Sequence, residues 1–415
     1  MLIFICLLAF YLAFNLGAND VANSMGTSVG SKAISLRQAL VIAGILEFSG
    51  AVFFGQEVTA TLGTKLINPA LFTSRPEILL LGMVSVLLAC GLWLNIATLF
   101  GLPISSSHAV VGAIAGFGYL AIGPTAIDWP SLGKITLTWI VTPVFSGAIA
   151  ALFYGLIRHY ILNQSQPLLR LREWIPWLSA ALLSIFGVIV LPTLSQPIQT
   201  WIEASLHLSL PAHDLPLAIG ILGCLSLSFY TWYSLERSTI PQPQLRLEAL
   251  FARFQLVSAC FVAFAHGSND VGNVIAPLAV IVHIQQQTTV PTLGLQVPLW
   301  LLALGGMGIV VGLAVLGRRV IATIGESIIT LEPSSGFCAE LATATTILLA
   351  SHYGLPVSTS HALVGGVVGI GLSRNWRSLP VSMLRSIGLA WVITLPLAAG
   401  LGAGIFALGC RLLAY

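Results

Sequence analysis

Charge is what this 415-residue chain has least of: Asp, Glu, Lys and Arg make up 7% of it, against roughly 25% in an ordinary soluble domain. With 57% apolar residues and a mean hydropathy of +0.95, a soluble globular fold is excluded. No basic run is long enough to follow a nucleic-acid backbone, and the net charge is only +3, so nucleic acid is not an expected partner. CxxC spacing is absent. The six cysteines (Cys6, Cys90, Cys224, Cys260, Cys338, Cys410) lie in or beside apolar stretches and read as small hydrophobes, not disulfides or transition-metal ligands. A basic n-region and a small-residue cleavage site are missing at the start, so the first apolar segment does not read as a removable signal. The short alternating segments of an outer-membrane barrel are missing too.

What is present is a series of apolar segments near the roughly 20 residues needed to cross a bilayer, among them 38–55, 78–100, 135–157, 215–230 and 383–410. They predict an all-α, polytopic transmembrane bundle. The chain also repeats itself. AFNLGANDVAN at 13–23 returns as AFAHGSNDVGN at 263–273, and GLPISSSHAVVG at 101–112 returns as GLPVSTSHALVG at 354–365. TWIVTP at 138–143 has a weaker echo in AWVITLP at 390–396. Matches in one order at nearly one spacing divide the chain into a first transmembrane repeat (1–162), a connector with two further transmembrane helices (163–248) and a second repeat (249–415).

Lys and Arg collect in cytoplasmic loops. Segments 158–172 and 236–253 are basic, and 196–214 and 284–298 have no Lys or Arg. If each GLP[IV]S[ST]SH run is the tip of a hairpin that returns to the side it came from, thirteen of the seventeen basic residues fall inside, Arg318, Arg319 and Arg377 among them. Only Lys65, Arg75, Lys134 and Arg411 fall outside. Both termini are then outside and the two repeats are inverted, a recurring plan of secondary transporters with discontinuous helices at the midplane.

Polar residues inside apolar segments are costly and mark function by default. Asn19, Asp20 and Asn23, and their counterparts Asn269, Asp270 and Asn273, combine amide oxygens with a carboxylate, a hard-oxygen set suited to Na⁺. Gly17 is expected to break the helix just ahead of them, freeing backbone carbonyls for a cation and N–H groups for an anion. The plain alternative is an Asn/Asp cap at a kink. Ser24, Thr27 and Ser28 have no hydroxyl counterparts in the second half, which draws the expected anion toward the first. Ser105, Ser106 and Ser107, with Ser358, Thr359 and Ser360, follow a proline and open a helix. Their hydroxyls and free N–H groups suit a tetrahedral oxyanion, and the alternative is an ordinary N-cap. His108 and His361 pack beside the tips or touch the ligand. Glu47 and Glu340, with no nearby Lys or Arg, read as cation ligands, proton carriers, gate residues or buried packing acids. Glu57, Glu77 and Glu203 read as solvated. Trp129, Trp139, Trp174, Trp177, Trp201 and Trp300 read as interfacial anchors.

GANDVANSMGTSVGS with the following LRQA, HGSNDVGNVIAPL, GRRVI, and PSSGFCAELA with GLPVSTSH resemble the inorganic phosphate transporter (PiT) family over about three quarters of the chain. Ser268 departs from a frequent glycine, and the connector is shorter than the long cytoplasmic loop of animal members. The resemblance implies Na⁺- or H⁺-coupled phosphate uptake through the plasma (inner) membrane, an inverted-repeat fold and a homodimer. It implies no cofactor beyond the coupling ion. It also implies roles for the residues just named: Asp20, Asp270 and the tip hydroxyls with phosphate, and Asn19, Asp20, Asn23, Asn269, Asp270, Asn273, Glu47 and Glu340 with Na⁺. A carboxylate near the anion would favour phosphate, which carries a proton at neutral pH, over sulfate, which does not. The rivals are a sulfate permease, an anion channel and an intramembrane hydrolase built on a Ser, His108 and Asp20. The hydrolase lacks a G-x-S-x-G elbow.

Overall fold

The computed structural model describes residues 2–99, 104–206, 211–292, 294–324, 331–375 and 381–413. Residues 101–103 of the first tip and Arg377 lie outside them, as do the side chains of Arg318 and Arg319. A chain in lipid must close its backbone hydrogen bonds internally, and helices do so within one segment. Among the described residues the one strand-like pairing is an isolated bridge between Ile67 and Ile127. Nine helices there are long and apolar enough to cross a membrane.

The first half contains α1 (Leu2–Gly30), α2 (Leu36–Phe54), α3 (Gln56–Thr64), α4 (Pro76–Leu99), α5 (Ser106–Ile122) and α6 (Trp129–Ile157). The connector contains α7 (Pro167–Ile189), α8 (Leu191–Leu206) and α9 (Asp214–Arg237). The second half contains α10 (Pro243–Asp270), α11 (Gly272–Gln287), α12 (Leu299–Ile324), α13 (Pro333–His352), α14 (Thr359–Asn375) and α15 (Val381–Leu413). The short helix α8 is additional to the two connector helices the sequence suggests.

The halves interlock by exchange. Helix α1 lies along α12 and α10 along α2; α5 lies along α15 and α14 along α6. Small residues let these backbones touch, as membrane helices without a hydrophobic driving force require. A Cβ on Gly17 would stand 2.0 Å from the Ile309 carbonyl oxygen, and one on Gly267 would stand 2.0 Å from that of Glu47. The two glycines hold the same place in the two repeats. Gly17 therefore does not break α1, which is continuous through the signature; the missing Cβ serves a helix contact instead of a hinge. The interruption appears only in the second half, at Val271, where the N–H bond to the Gly267 carbonyl stretches to 3.4 Å. Helix α11 carries Pro277, which leaves the Asn273 carbonyl without its helical donor.

Both hairpins return to the side they start from. Helix α6 shows that these sides are opposite. Next to its first residue, Asp128 N–H donates to the Leu66 carbonyl (3.0 Å), close to where α4 begins and α5 ends, and Phe72 packs on Phe117 there. At its far end Arg158 donates to the Ser373 carbonyl (3.2 Å), and Arg374 pairs with Glu332 at the start of α13 (3.2 Å). Helices α4–α5 and α13–α14 thus enter from opposite ends of the bundle and meet between. Trp129, Trp177, Trp201 and Trp300 are exposed, as anchors should be, but Trp139 is not: it is 5% exposed and donates to the Pro356 carbonyl at 3.0 Å.

Candidate functional site

Each hairpin tip starts a helix, and its first serine caps it. Ser105 Oγ accepts from His108 N–H, and Ser358 Oγ accepts from His361 N–H, both at 3.3 Å. The capping alternative is therefore right for those two residues. With the cap made, the next hydroxyl turns to the acid of its own half. Ser106 Oγ donates to Asp20 Oδ2 at 3.4 Å, and Thr359 Oγ1 donates to Asp270 Oδ2 at 3.2 Å. The third hydroxyls diverge. Ser107 donates to the Val357 carbonyl at 2.9 Å, joining the tips directly, whereas Ser360 lies 2.9 Å from Ser358.

The amides hold this arrangement. Asn273 Nδ2 donates to Ser106 (3.3 Å) and Ser107 (3.2 Å), tying the second half to the first tip. Asn269 donates to Ser351 (3.0 Å) and the Leu355 carbonyl (3.1 Å) and accepts from Val357 N–H (3.2 Å). In the first half Asn19 and Asn23 donate instead to Asp20 Oδ1, at 3.4 and 3.2 Å. Equal sequence thus performs unequal work in the two halves.

The acids converge. Asp20, Asp270 and His266 each bring a ligand atom within 4.8 Å of the others, and all three side chains are buried. His266 sits between two carboxylates, its Nδ1 3.3 Å from Glu47 Oε1 and its Nε2 3.0 Å from Asp270 Oδ2. Neither contact has the alignment of a hydrogen bond, so the pairing is one of position. Glu47 also accepts from Ser24 at 2.8 Å. Glu47 Oε2, Asp270 Oδ1 and Asn273 Oδ1 are buried with no donor. Orphaned buried acceptors are rare, and bare carboxylate and amide oxygens are donors of the kind a hard cation takes. The residues present fit Na⁺.

Glu340 belongs to a second polar cluster. Its carboxylate accepts from Thr27 (2.7 Å), Ser28 (2.5 Å), Gln255 (3.0 Å) and Ser258 (2.7 Å). The extra hydroxyls Thr27 and Ser28 therefore do not widen an anion face; they hold a buried acid about 10 Å along α1 from Asp20. His108 and His361 pack beside the tips. Their rings are 4.7 Å apart and pack, tilted, against Trp139 (3.8 Å) and Trp391 (3.4 Å). Each Nδ1 lies 3.3 Å from a carbonyl of the opposite half, Trp391 for His108 and Trp139 for His361.

His266 is the site residue that the motif reading passes over. The available signal is a mismatch inside the duplicated run, His266 standing where the first half has Leu16.

The model of the phosphate transporter family matches residues 16–402. A Haemophilus influenzae protein with the name "Putative phosphate permease" is 40% identical over 91% of this chain and 89% of its own length. A Pyrococcus horikoshii protein of the same description is 36% identical, over 90% and 88%. A solved structure titled "The sodium-dependent phosphate transporter" superimposes with a TM-score of 0.87 at 35% identity, covering 98% of both chains. The duplicated acid–amide helices and hydroxyl tips lie within the matched span, and the chain belongs to the phosphate transporter family.

Proposed function

We propose that this chain imports inorganic phosphate with Na⁺ by alternating access between two inverted repeats, with both termini outside the plasma membrane. The observation that carries the reading is the matched pair of contacts, Ser106–Asp20 and Thr359–Asp270, where hairpins from opposite ends meet. The starts of α5 and α14 turn backbone N–H groups toward that meeting point, and Ser105–Ser107 and Ser358–Ser360 add hydroxyl donors. Together they can hold a tetrahedral oxyanion without a full positive charge. Na⁺ is held by Asp20 with Asn19 and Asn23, by Asp270 with Asn269, Asn273 and Glu47, and in the second cluster by Glu340.

Phosphate beside two buried carboxylates is repelled, and the cation offsets that repulsion. Each ligand then raises the affinity of the other by one factor, which is coupling in thermodynamic terms. A carboxylate one hydroxyl away from the anion can accept the proton phosphate carries at neutral pH. Sulfate offers none, so the site selects phosphate. The sodium-dependent neighbour supports Na⁺ as the partner ion.

Radiolabelled phosphate uptake into proteoliposomes, with Na⁺ and pH gradients imposed separately and sulfate as competitor, tests this. Uptake is expected to follow the Na⁺ gradient at matched pH and to ignore sulfate. Uptake driven by the pH gradient alone would reassign the coupling ion. Strong sulfate competition would remove the selectivity argument, and gradient-independent, non-saturating flux would make the protein a channel.

A further inference from the structure

Away from the tips, the chain gathers unpaired positive charge at one place. Where α9 ends and α10 begins, a cleft of about 450 Å³ is lined by Arg237, Arg246 and Arg253 with Tyr230 and Tyr233. Among the described residues none of the three arginines has a carboxylate within ion-pair distance; the described Arg pairs are Arg170–Glu173, Arg172–Glu236 and Arg374–Glu332. The acids next in sequence are engaged elsewhere. Glu236 faces Arg172, and Glu248 accepts from Ser334 N–H and Oγ.

The guanidiniums are held in place. Arg237 lies 4.3 Å over the Tyr233 ring and Arg253 4.9 Å over the Tyr230 ring, contacts that orient a cation without neutralising it. Arg246 donates to the Leu235 carbonyl, yet its Nε–H is buried with no acceptor. A chain with 17 Lys and Arg in all places three of them around one space without a counter-charge. The missing partner is an anion with several acceptor oxygens, for which arginine is the favoured donor.

Position identifies its source. Asp214–Arg237 and Pro243–Gln287 are both apolar and long enough to cross a membrane, so the cleft joining them lies at the membrane surface. Below it, α9 presents exposed Leu222, Leu225 and Phe229. With Tyr233 these recur at helical spacing as one stripe of about 16 Å, close to the depth of one leaflet. We propose that the cleft holds the phosphate headgroup of an anionic glycerophospholipid, one acyl chain lying along that stripe. Basic pockets between membrane helices bind such headgroups, and here the apolar track gives a lipid an advantage that a free phosphate ion lacks.

The test uses the full chain in nanodiscs made from phosphatidylcholine with a minor fraction of spin-labelled lipid, comparing phosphatidylglycerol with phosphatidylcholine as the labelled species. The wild-type protein is expected to prefer the anionic lipid, with a preference that shrinks as salt is raised. Arg237→Gln with Arg253→Gln removes both charges and should lower the preference by about 30-fold. Arg237→Lys with Arg253→Lys should retain most of it. Thermal unfolding in lipid-free detergent confirms that the variants fold; if the Gln pair does not, the wild-type preference, its salt response and the Lys pair decide. Equal retention of the two lipids by the wild type, or a preference untouched by the Gln pair, would overturn the proposal. So would displacement of the labelled lipid by millimolar inorganic phosphate, which would make the cleft a site for the free ion.

Discussion

Asn273 and Asn23 occupy the same position in the two repeats, and the structure makes their removal unequal. Asn273 Nδ2 joins two hydroxyls of the opposite half, Ser106 at 3.3 Å and Ser107 at 3.2 Å. Asn23 makes one contact, 3.2 Å to Asp20 on its own helix. A net hydrogen bond contributes about 1 kcal/mol. Asn273→Ala therefore loosens the first tip by about 2 kcal/mol, whereas Asn23→Ala removes about 1 kcal/mol from the positioning of Asp20. If the tip holds phosphate, apparent affinity falls by about 30-fold in the first variant and about fivefold in the second. Asn273→Ala also removes a bare oxygen, Oδ1, so its Na⁺ dependence should move to higher concentrations. Initial rates of phosphate uptake in proteoliposomes, measured against phosphate at several Na⁺ concentrations, give both quantities. Equal losses in the two variants, or a larger loss in Asn23→Ala, would refute the reasoning that the tether between halves sets the anion site.

Gly267→Ala would place a Cβ 2.0 Å from the Glu47 carbonyl oxygen; an overpacked contact of this kind costs about 1–3 kcal/mol or more. It should lower the thermal midpoint in detergent, while Gly133→Ala, with nothing within 4 Å, should not. Glu340→Leu leaves Thr27, Ser28, Gln255 and Ser258 without their common acceptor, at about 1–3 kcal/mol for each donor that finds no other. It should destabilise far more than Glu340→Gln in the same melt. His108→Phe and His361→Phe keep the packed rings but lose the Nδ1 contacts to Trp391 and Trp139. Each should cost about 1 kcal/mol, and the double variant should deviate from additivity because the two rings touch.

The legible part of the fold is the part that repeats. Duplicated N-D-V-x-N and S-[ST]-S-H runs name the acids and tips, and the hairpin reading that places basic residues at shared ends agrees with α4–α5 and α13–α14 each returning to their own side. Single-copy features are less readable. His266 has Leu16 as its counterpart, so duplication hides it, and only folding brings it to Glu47 on another helix. Thr27 and Ser28 look like spare hydroxyls until α13 delivers Glu340 from 312 residues away. Gly17 reads as a hinge because a missing Cβ permits both bending and close approach, and only the position of Ile309 decides between them. Trp139 reads as an anchor by its place near a segment end. The better clue is its partner Trp391 in the repeat, since a tryptophan kept in both copies has a packing role that an interfacial anchor does not need.

In the proposed mechanism phosphate and Na⁺ share the site where Asp20 and Asp270 meet the tips. Equilibrium binding of labelled phosphate to the purified protein across a Na⁺ titration, paired with labelled Na⁺ binding across a phosphate titration, measures this most directly. Linkage predicts that each ion tightens the other by the same factor, and that Asp20→Asn reduces that factor. Phosphate affinity independent of Na⁺, or a factor unchanged in Asp20→Asn, would contradict it.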